Sequence, residues 1–328
     1  MIFQCFEEKK LNYEDIKSLI LLWREKNETV FEITGLVNLL NKKQEQIELS
    51  IDAVDMCGTG GDRLNTFNIS TLSAIVASSF GINVIKHSGR SSTSISGSLD
   101  ILSDFGISFD NFNEINLKEF KKTRLMFTSS KLLREMFGEV KKVSKDLAIP
   151  SFVNLLGPLT NPYKTKFQLL GVSQLSLAET MATSLQSLGR ENAIVVCSEA
   201  GKSGFMDEFS FCGKNFIVLI SKNKIIKKTL NPEDFGVNIM NIEDLIIQDK
   251  KEAKLIFENI LKGINTSSNS FESKVKVVAL NAGSAIYLLK KANSIQEGYK
   301  LALQHIKSGK CWEHFQEFLN SSIRNIIN

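Results

Sequence analysis

Two stretches of the chain carry side chains and backbone suited to chemistry. One is Gly58-Thr59-Gly60-Gly61-Asp62, continued by Thr66 and by Asn68-Ile69-Ser70-Thr71; the other is the acid pair Asp207-Glu208. Three glycines in four positions strip side chains from a tight turn, so that several backbone N–H groups can face one anion. Ser70 and Thr71 fall where a helix begins, and helix N-termini favour phosphate. Adjacent acids are ordinarily solvated surface charge. A phosphate cradle elsewhere in the chain supplies a reason for a hard cation, and Mg²⁺ takes few protein carboxylates and completes its shell with phosphate and water.

Two common phosphate motifs are excluded. There is no G-x-x-x-x-G-K-[ST], and Gly58, Gly60 and Gly61 do not space as G-x-G-x-x-G. Lys86 follows an apolar stretch and can supply a point charge to a phosphate. His87 reads either as a ligand contact or as a hydrogen-bonded loop histidine. Ser98 can donate to a phosphate, or serve only as an N-cap. Cys57 has no base near it in sequence and reads as a small buried residue. With only three histidines, a His-rich zinc site is not expected.

The elements that must position these groups follow from pattern. Val54-Asp55-Met56 ends a buried strand; Leu72, Ile75, Val76 and Phe80 continue a helix that Gly81 stops. Ile82 to Ile85 make a second strand, a polar loop follows from Ser91 to Ser98, and Leu99, Ile101, Leu102 and Phe105 make a second helix. Strand, polar loop and helix thus occur twice, which predicts βαβ units and a mainly parallel sheet flanked by helices. Strands are also predicted over 124–128, 168–172, 193–197 and 211–221, the last leading to a lysine-rich turn; helices are predicted over 131–147, 175–189, 242–262 and 281–308. Upstream, Asn12 caps a helix over 12–26, and Thr29 with Glu32 forms a capping box for another. This opening segment is too small for a core of its own, so its apolar stripes must pack elsewhere.

Totals narrow the class. The chain has 328 residues, 43% hydrophobic, with a net charge of only +4. That balance is weaker and less segregated than a nucleic-acid binder shows, so no nucleic-acid partner is expected. Met1 to Lys10 lacks a signal-peptide pattern and no run reaches about 18 apolar residues, so no membrane span is expected. Five dispersed cysteines fit reduced thiols in a cytoplasmic protein.

In Gly58-Thr59-Gly60-Gly61-Asp62, Asn68-Ile69-Ser70-Thr71, Lys86-His87 and Asp207-Glu208, the sequence resembles the anthranilate phosphoribosyltransferase family, within the wider nucleoside phosphorylase and phosphoribosyltransferase superfamily. Ser151 to Pro162, Asn231 to Gly236, Leu280-Asn281-Ala282 and Ser308-Gly309-Lys310 extend the resemblance to nearly the whole chain. It implies a small all-helical domain (residues 1–50, joined by helices from about 130–158) and an α/β domain (51–328) binding 5-phosphoribosyl diphosphate. It implies a homodimer through the helical domain and transfer of phosphoribose to a small aromatic amine, as in tryptophan biosynthesis. Gly58, Thr59, Gly61, Asp62, Thr66, Asn68, Ser70, Thr71, Lys86 and Ser98 would hold the donor. Ser70, Asp207 and Glu208 would ligate Mg²⁺; Lys86, Asp207 and Glu208 would be catalytic. Gly58, His87, Gly89, Ser144, Gly157 and Pro158 would border the acceptor.

The sequence departs from that family on the acceptor side. Gly89 stands where the family has an asparagine, and Ser144 where it has an arginine, with Lys142 and Lys145 as nearby cations. Lys131-Leu132-Leu133-Arg134 replaces the usual His-Pro-Ala segment. The alternatives are a paralogue with another acceptor, a non-catalytic nucleic-acid-binding relative, and a thymidine-phosphorylase-like activity suggested by Ser88-Gly89-Arg90. A serine cannot replace an arginine's charge, so weakened acceptor binding is expected unless Lys142 or Lys145 substitutes.

Overall fold

The computed structural model describes residues 2–89, 95, 97–107, 117–222, 224–264, 266 and 268–327. Arg90 and most of the polar loop from Ser91 to Ser96 lie outside them. The strands in chain order are β1 (Ile47–Glu48), β2 (Val54–Gly58), β3 (Val84–His87), β4 (Leu125–Thr128), β5 (Tyr163–Lys164), β6 (Phe167–Gly171), β7 (Asn192–Glu199), β8 (Phe205–Met206), β9 (Asn215–Ser221) and β10 (Lys224–Leu230). The main sheet runs β10-β9-β7-β6-β2-β3-β4; β1 and β5 form a separate parallel pair. From β7 to β4 every pairing is parallel, while β9 and β10 close one edge antiparallel and β8 pairs antiparallel with β7.

The order of these strands matters for function. From β2 the chain moves outward to β3 and β4, then returns to the other side of β2 as β6 and continues to β7. The direction of winding therefore reverses between β2 and β6. In open parallel sheets the crevice beyond the strand C-termini at such a reversal is where ligands bind.

Both faces of the sheet are covered, as a parallel sheet requires. Successive side chains alternate between faces: Ile194 and Val196 join one core, and Ala193, Val195 and Cys197 the other. The first core is shared with helices Ile69–Phe80, Lys250–Leu261, Asn269–Leu288 and Ile295–Lys307. The second receives the apolar stripes of Tyr13–Lys26 and Val30–Lys43: Ile16, Ile20 and Trp23 from one, Ile33, Leu36, Val37 and Leu40 from the other. These meet Leu133, Phe137, Val140 and Phe152 on helices Lys131–Asp146 and Phe152–Leu156, so the N-terminal stripes are buried within this chain. Asn12 with Asp15, and Thr29 with Glu32, make reciprocal capping boxes.

Several expectations need correction. The lysine-rich segment after β9 is a strand, β10, not a turn. It is an edge strand with exposed side chains, so no core demanded a hydrophobic alternation. The helix expected over 242–262 is a short 3-10 turn, Ile242–Leu245, followed by Lys250–Leu261; Asp249 caps the second piece. The helix expected over 281–308 is two helices that break after Leu288, where Lys290 takes a left-handed conformation (φ 58°). Ser98 is the first residue of helix Ser98–Ser103 rather than its cap; Gly97 is the cap, its N–H bonded to Asp100 at 2.9 Å.

Those last two helices touch backbone to backbone. A Cβ on Gly283 would lie 2.4 Å from the main chain of Gly298 and Tyr299, and one on Gly298 would lie 2.2 Å from the Gly283 carbonyl oxygen. Gly283→Ala should therefore cost about 1–3 kcal/mol of stability. The measurement is a lowered urea midpoint at unchanged m. Gly35→Ala, where a Cβ meets nothing within 4 Å in helix Val30–Lys43, should instead stabilise by about 0.5–1 kcal/mol.

Candidate functional site

The site is built outward from the paired ends of β2 and β6. Their last residues, Gly58 and Gly171, are register partners. A Cβ on Gly58 would sit 2.1 Å from Asp207 Oδ2, and one on Gly171 would sit 1.4 Å from the Asp207 carbonyl oxygen. Two adjacent strands thus end in glycine because Asp207 occupies the space where their side chains would be. Its carboxylate accepts the N–H of Gly60 at 2.6 Å. Beside it, Glu208 accepts the N–H of Ser70 at 3.0 Å, at the start of helix Ile69–Phe80.

The turn after β2 is tightly wound. Gly60 and Gly61 have φ of 66° and 86°, and Arg63 and Asn65 also adopt positive φ. Glycine adopts such left-handed conformations without strain, and Thr59 N–H is spent on Gly171 O at 3.0 Å. Asn154 braces the turn by donating to Thr59 O at 3.2 Å, and Ser173 by donating to Gly60 O at 3.1 Å. On the acid side, Asn281 grips the residue after Glu208 twice: Phe209 N donates to Oδ1 (3.1 Å) and Nδ2 donates to Phe209 O (2.8 Å).

Three carboxyls crowd this floor, and each is held above its ordinary pKa. Burial pushes Asp62 up, and the Asp207 charge adds to it, to about 7. Burial raises Asp207, and burial followed by the charges of Asp207 and Asp62 raises Glu208 well above the usual range. Crowded acids of one sign favour a cation. Among the described residues no three His, Cys, Asp or Glu side chains make a metal cage by themselves. Asp207 and Glu208, side by side against the glycine turn and the start of a helix, are the few carboxylates Mg²⁺ uses when phosphate completes its shell, so the residues fit the ion.

At the end of β3, Lys86 is buried and donates to Met56 O at 2.7 Å; burial lowers its pKa. The next backbone N–H, of His87, donates to the buried Asp55 at 2.8 Å, and Asn161 donates to the same carboxylate at 2.9 Å. Burial, then the positive charges of Lys86, Lys141 and Arg134, pushes the His87 ring down to about 3, so it is neutral at ordinary pH. Cys57 is buried, and burial holds its thiol well above the ordinary range.

The glycine turn, Asp62, Asp207, Glu208, Lys86, His87 and Cys57 line one cleft of about 820 Å³. Every site residue expected from sequence borders it: Gly58, Thr59, Gly61, Asp62, Thr66, Asn68, Ser70, Thr71, Lys86, Ser98, Asp207 and Glu208, together with His87, Gly89, Ser144, Gly157 and Pro158. Lys142 and Lys145 border it too. Sequence reasoning missed the part played by Gly171 and Asn281. It also missed that Arg134 and Lys141 join the wall; their spacing of seven on one helix was the available signal.

Residues 50–312 match the family described as "Glycosyl transferase family, a/b domain". The chain is 36% identical over 307 residues to the bifunctional protein TrpGD of Thermotoga maritima, an alignment covering 93% of this chain; the chain spans about half the length of that relative, 50%. It is 35% identical over 299 residues to the anthranilate phosphoribosyltransferase of Bacillus pumilus, covering 91% of this chain and 85% of that protein. Among solved structures, anthranilate phosphoribosyltransferase from Saccharomyces cerevisiae in complex with PRPP and Mg is similar with a TM-score of 0.80. Its sequence identity is 25%, over 98% of this chain and 91% of that chain.

Asn281 offers a direct test of how the acid loop is held. Asn281→Ala leaves the buried N–H and C=O of Phe209 without these partners. The expected cost is about 1–3 kcal/mol, measured as a lowered urea midpoint.

Proposed function

Because the chain belongs to the anthranilate phosphoribosyltransferase family, we propose that it transfers phosphoribose from 5-phosphoribosyl diphosphate to anthranilate, the step this family contributes to tryptophan biosynthesis. The observation that carries the reading is the seating of Asp207 against Gly58 and Gly171, with Glu208 at the start of helix Ile69–Phe80, in one cleft with the glycine turn. The donor is held by Gly58, Thr59, Gly61, Asp62, Thr66, Asn68, Ser70, Thr71, Lys86 and Ser98. Asp207, Glu208 and Ser70 hold Mg²⁺. When bound, the ion neutralises charge on the leaving diphosphate.

The remaining work falls to this chain's own groups. The backbone of the glycine turn beyond Gly60 and the Lys86 ammonium stabilise the negative charge that grows on the leaving group as the C1–O bond breaks. Gly58, His87, Gly89, Ser144, Gly157 and Pro158 border the amine. The neutral His87 ring adds no positive charge beside a ribose that is itself becoming cationic. An aromatic amine needs little acid–base help, so positioning supplies most of the rate.

The reading extends to organisation. Residues 1–50, with helices from about 130–158, act as a small helical domain; residues 51–328 act as the α/β donor-binding domain. A homodimer forms through the helical domain. Its support is apolar surface left outward on those helices, with Phe31 86% and Leu22 64% exposed alongside Leu21 and Leu39. The five free cysteines suit a cytosolic enzyme. Among the described residues no helix is long and apolar enough to cross a membrane.

Calorimetry tests the donor site: phosphoribosyl diphosphate should bind with Mg²⁺ at roughly micromolar to millimolar affinity, the range usual for substrates. Asp207→Asn combined with Glu208→Gln should abolish the Mg²⁺ dependence without unfolding the protein. Anthranilate fluorescence should then fall only when wild-type enzyme, donor and Mg²⁺ are all present. Folded protein that binds no donor in Mg²⁺ would remove the transferase reading. Light scattering at micromolar concentration should give the mass of a dimer, and a monomer would defeat the assembly proposal.

A further inference from the structure

One wall of the cleft is a single face of helix Lys131–Asp146. Arg134, Gly138, Lys141 and Lys145 recur at i, i+4, i+7 and i+11, and all four border the cavity. Gly138 contributes no side chain, and the space a Cβ would enter there is open. A notch therefore lies between Arg134 and Lys141, next to Phe137, where the helix departs from helical dihedrals (φ −115°, ψ 19°). Arg134 is tethered at one nitrogen, Nη1 donating to Ser129 Oγ at 2.6 Å.

The charges on this helix are not equivalent. Lys131 pairs with Glu135, and Lys142 reaches Glu139 at 4.0 Å. Among the described residues, no carboxylate lies within ion-pair distance of Arg134 or Lys141. The same two cations act on His87, whereas Lys142 and Lys145 are not among the charges that perturb it. Burial and the Arg134 charge both disfavour the Lys141 ammonium, a tension an anion would relieve. Ser144 does not compete for that anion through its own hydroxyl, which donates to the carbonyl of Ile149 and closes the turn after the helix.

We infer that Arg134 and Lys141, flanking the Gly138 notch, are the specificity-determining residues that hold the acid group of the acceptor, an aromatic amine carrying a carboxylate. The inference rests on the phosphoribosyl-transfer reading above. An arginine fork matches a carboxylate with two parallel N–H donors, and a lysine adds a point charge from the other side of the notch. The acids of the cleft floor suit the cation that the diphosphate brings with it, whereas Arg134 and Lys141 suit an anionic group directly.

The test uses the full chain with Arg134→Leu, Lys141→Met, the double variant, and Arg134→Lys as the conservative change. Anthranilate and its neutral isostere 2-aminobenzamide are the probes. Each leucine or methionine variant should raise KM for anthranilate by about 30-fold or more, the scale of losing one partner of a desolvated charge pair. The value of kcat should stay within about threefold, as for a contact made equally in ground and transition states. Arg134→Lys should fall between wild type and Arg134→Leu. The wild-type preference for anthranilate over the amide should vanish in the double variant, with donor affinity by calorimetry unchanged. An unshifted KM in the double variant overturns this inference alone, as does a loss confined to donor affinity. Wild-type protein that binds donor but neither binds nor consumes anthranilate overturns the acceptor assignment in both readings.

Discussion

Where β2 and β6 end side by side, neither strand has a side chain, and Asp207 fills the gap. Its carboxylate lies against Gly58 and its main chain against Gly171, at distances that a single methyl group at either position would violate. This close approach brings an acid from beyond β7 onto the turn that follows β2, across 147 residues of chain. It occurs where the winding of the sheet reverses, where loops on the two sides of a strand pair diverge and leave a crevice. The glycine turn, the helix start at Ser70 and the acid pair are adjacent because this contact is possible.

Charge is divided across the cleft in a way that follows from the same geometry. The floor carries Asp62, Asp207 and Glu208, which raise one another; the helix wall carries Arg134 and Lys141, each without an acid partner among the described residues. Neither group is balanced internally. A cation at the floor and an anionic group at the helix wall would each relieve the charge that faces them. Proximity of this kind, rather than a strong acid or base, is what a cleft with one neutral histidine can offer.

Buried polar contacts hold both walls to the sheet. Asp55 receives the His87 backbone N–H and the Asn161 amide, and so joins β2, the end of β3 and the proline-rich segment before β5. Gln168 on β6 donates to Pro158 O at 2.7 Å and accepts from Arg190 at 2.9 Å, tying the same segment to a second strand. The segment over Ser151 to Pro162 reads as a bend because of its prolines. In the structure it is a set of hydrogen-bond anchors that fix this border of the cleft against β2, β3 and β6.

Much of the fold was legible because its local signals agree with its tertiary demands. Asn12 and Thr29 cap the helices they were expected to cap, and the runs at Val54, Val84, Leu125 and Ala193 lie in strands because two-sided burial requires continuous apolar sequence. What misled was exposure. β10 is an edge strand held by backbone bonds to β9, which any residue can make, so its lysines read as a turn. The break after Leu288 depends on one left-handed lysine and on two glycines that let the flanking helices touch.

From composition and spacing came the reading of a glycine turn before a helix N-terminus as a phosphate cradle and the expectation of a mainly parallel α/β sheet; the acid pair was read as a cation site with the help of the family resemblance. Each depends on residues close in sequence, where backbone dihedrals and short-range periodicity dominate. Tertiary structure alone decided that Gly171 makes room for Asp207, that Asn281 clamps the acid loop, and that Arg134 and Lys141 face His87. Those relations join residues tens of positions apart. They are set by which strands pair and which helix face packs inward, and no local pattern encodes that choice.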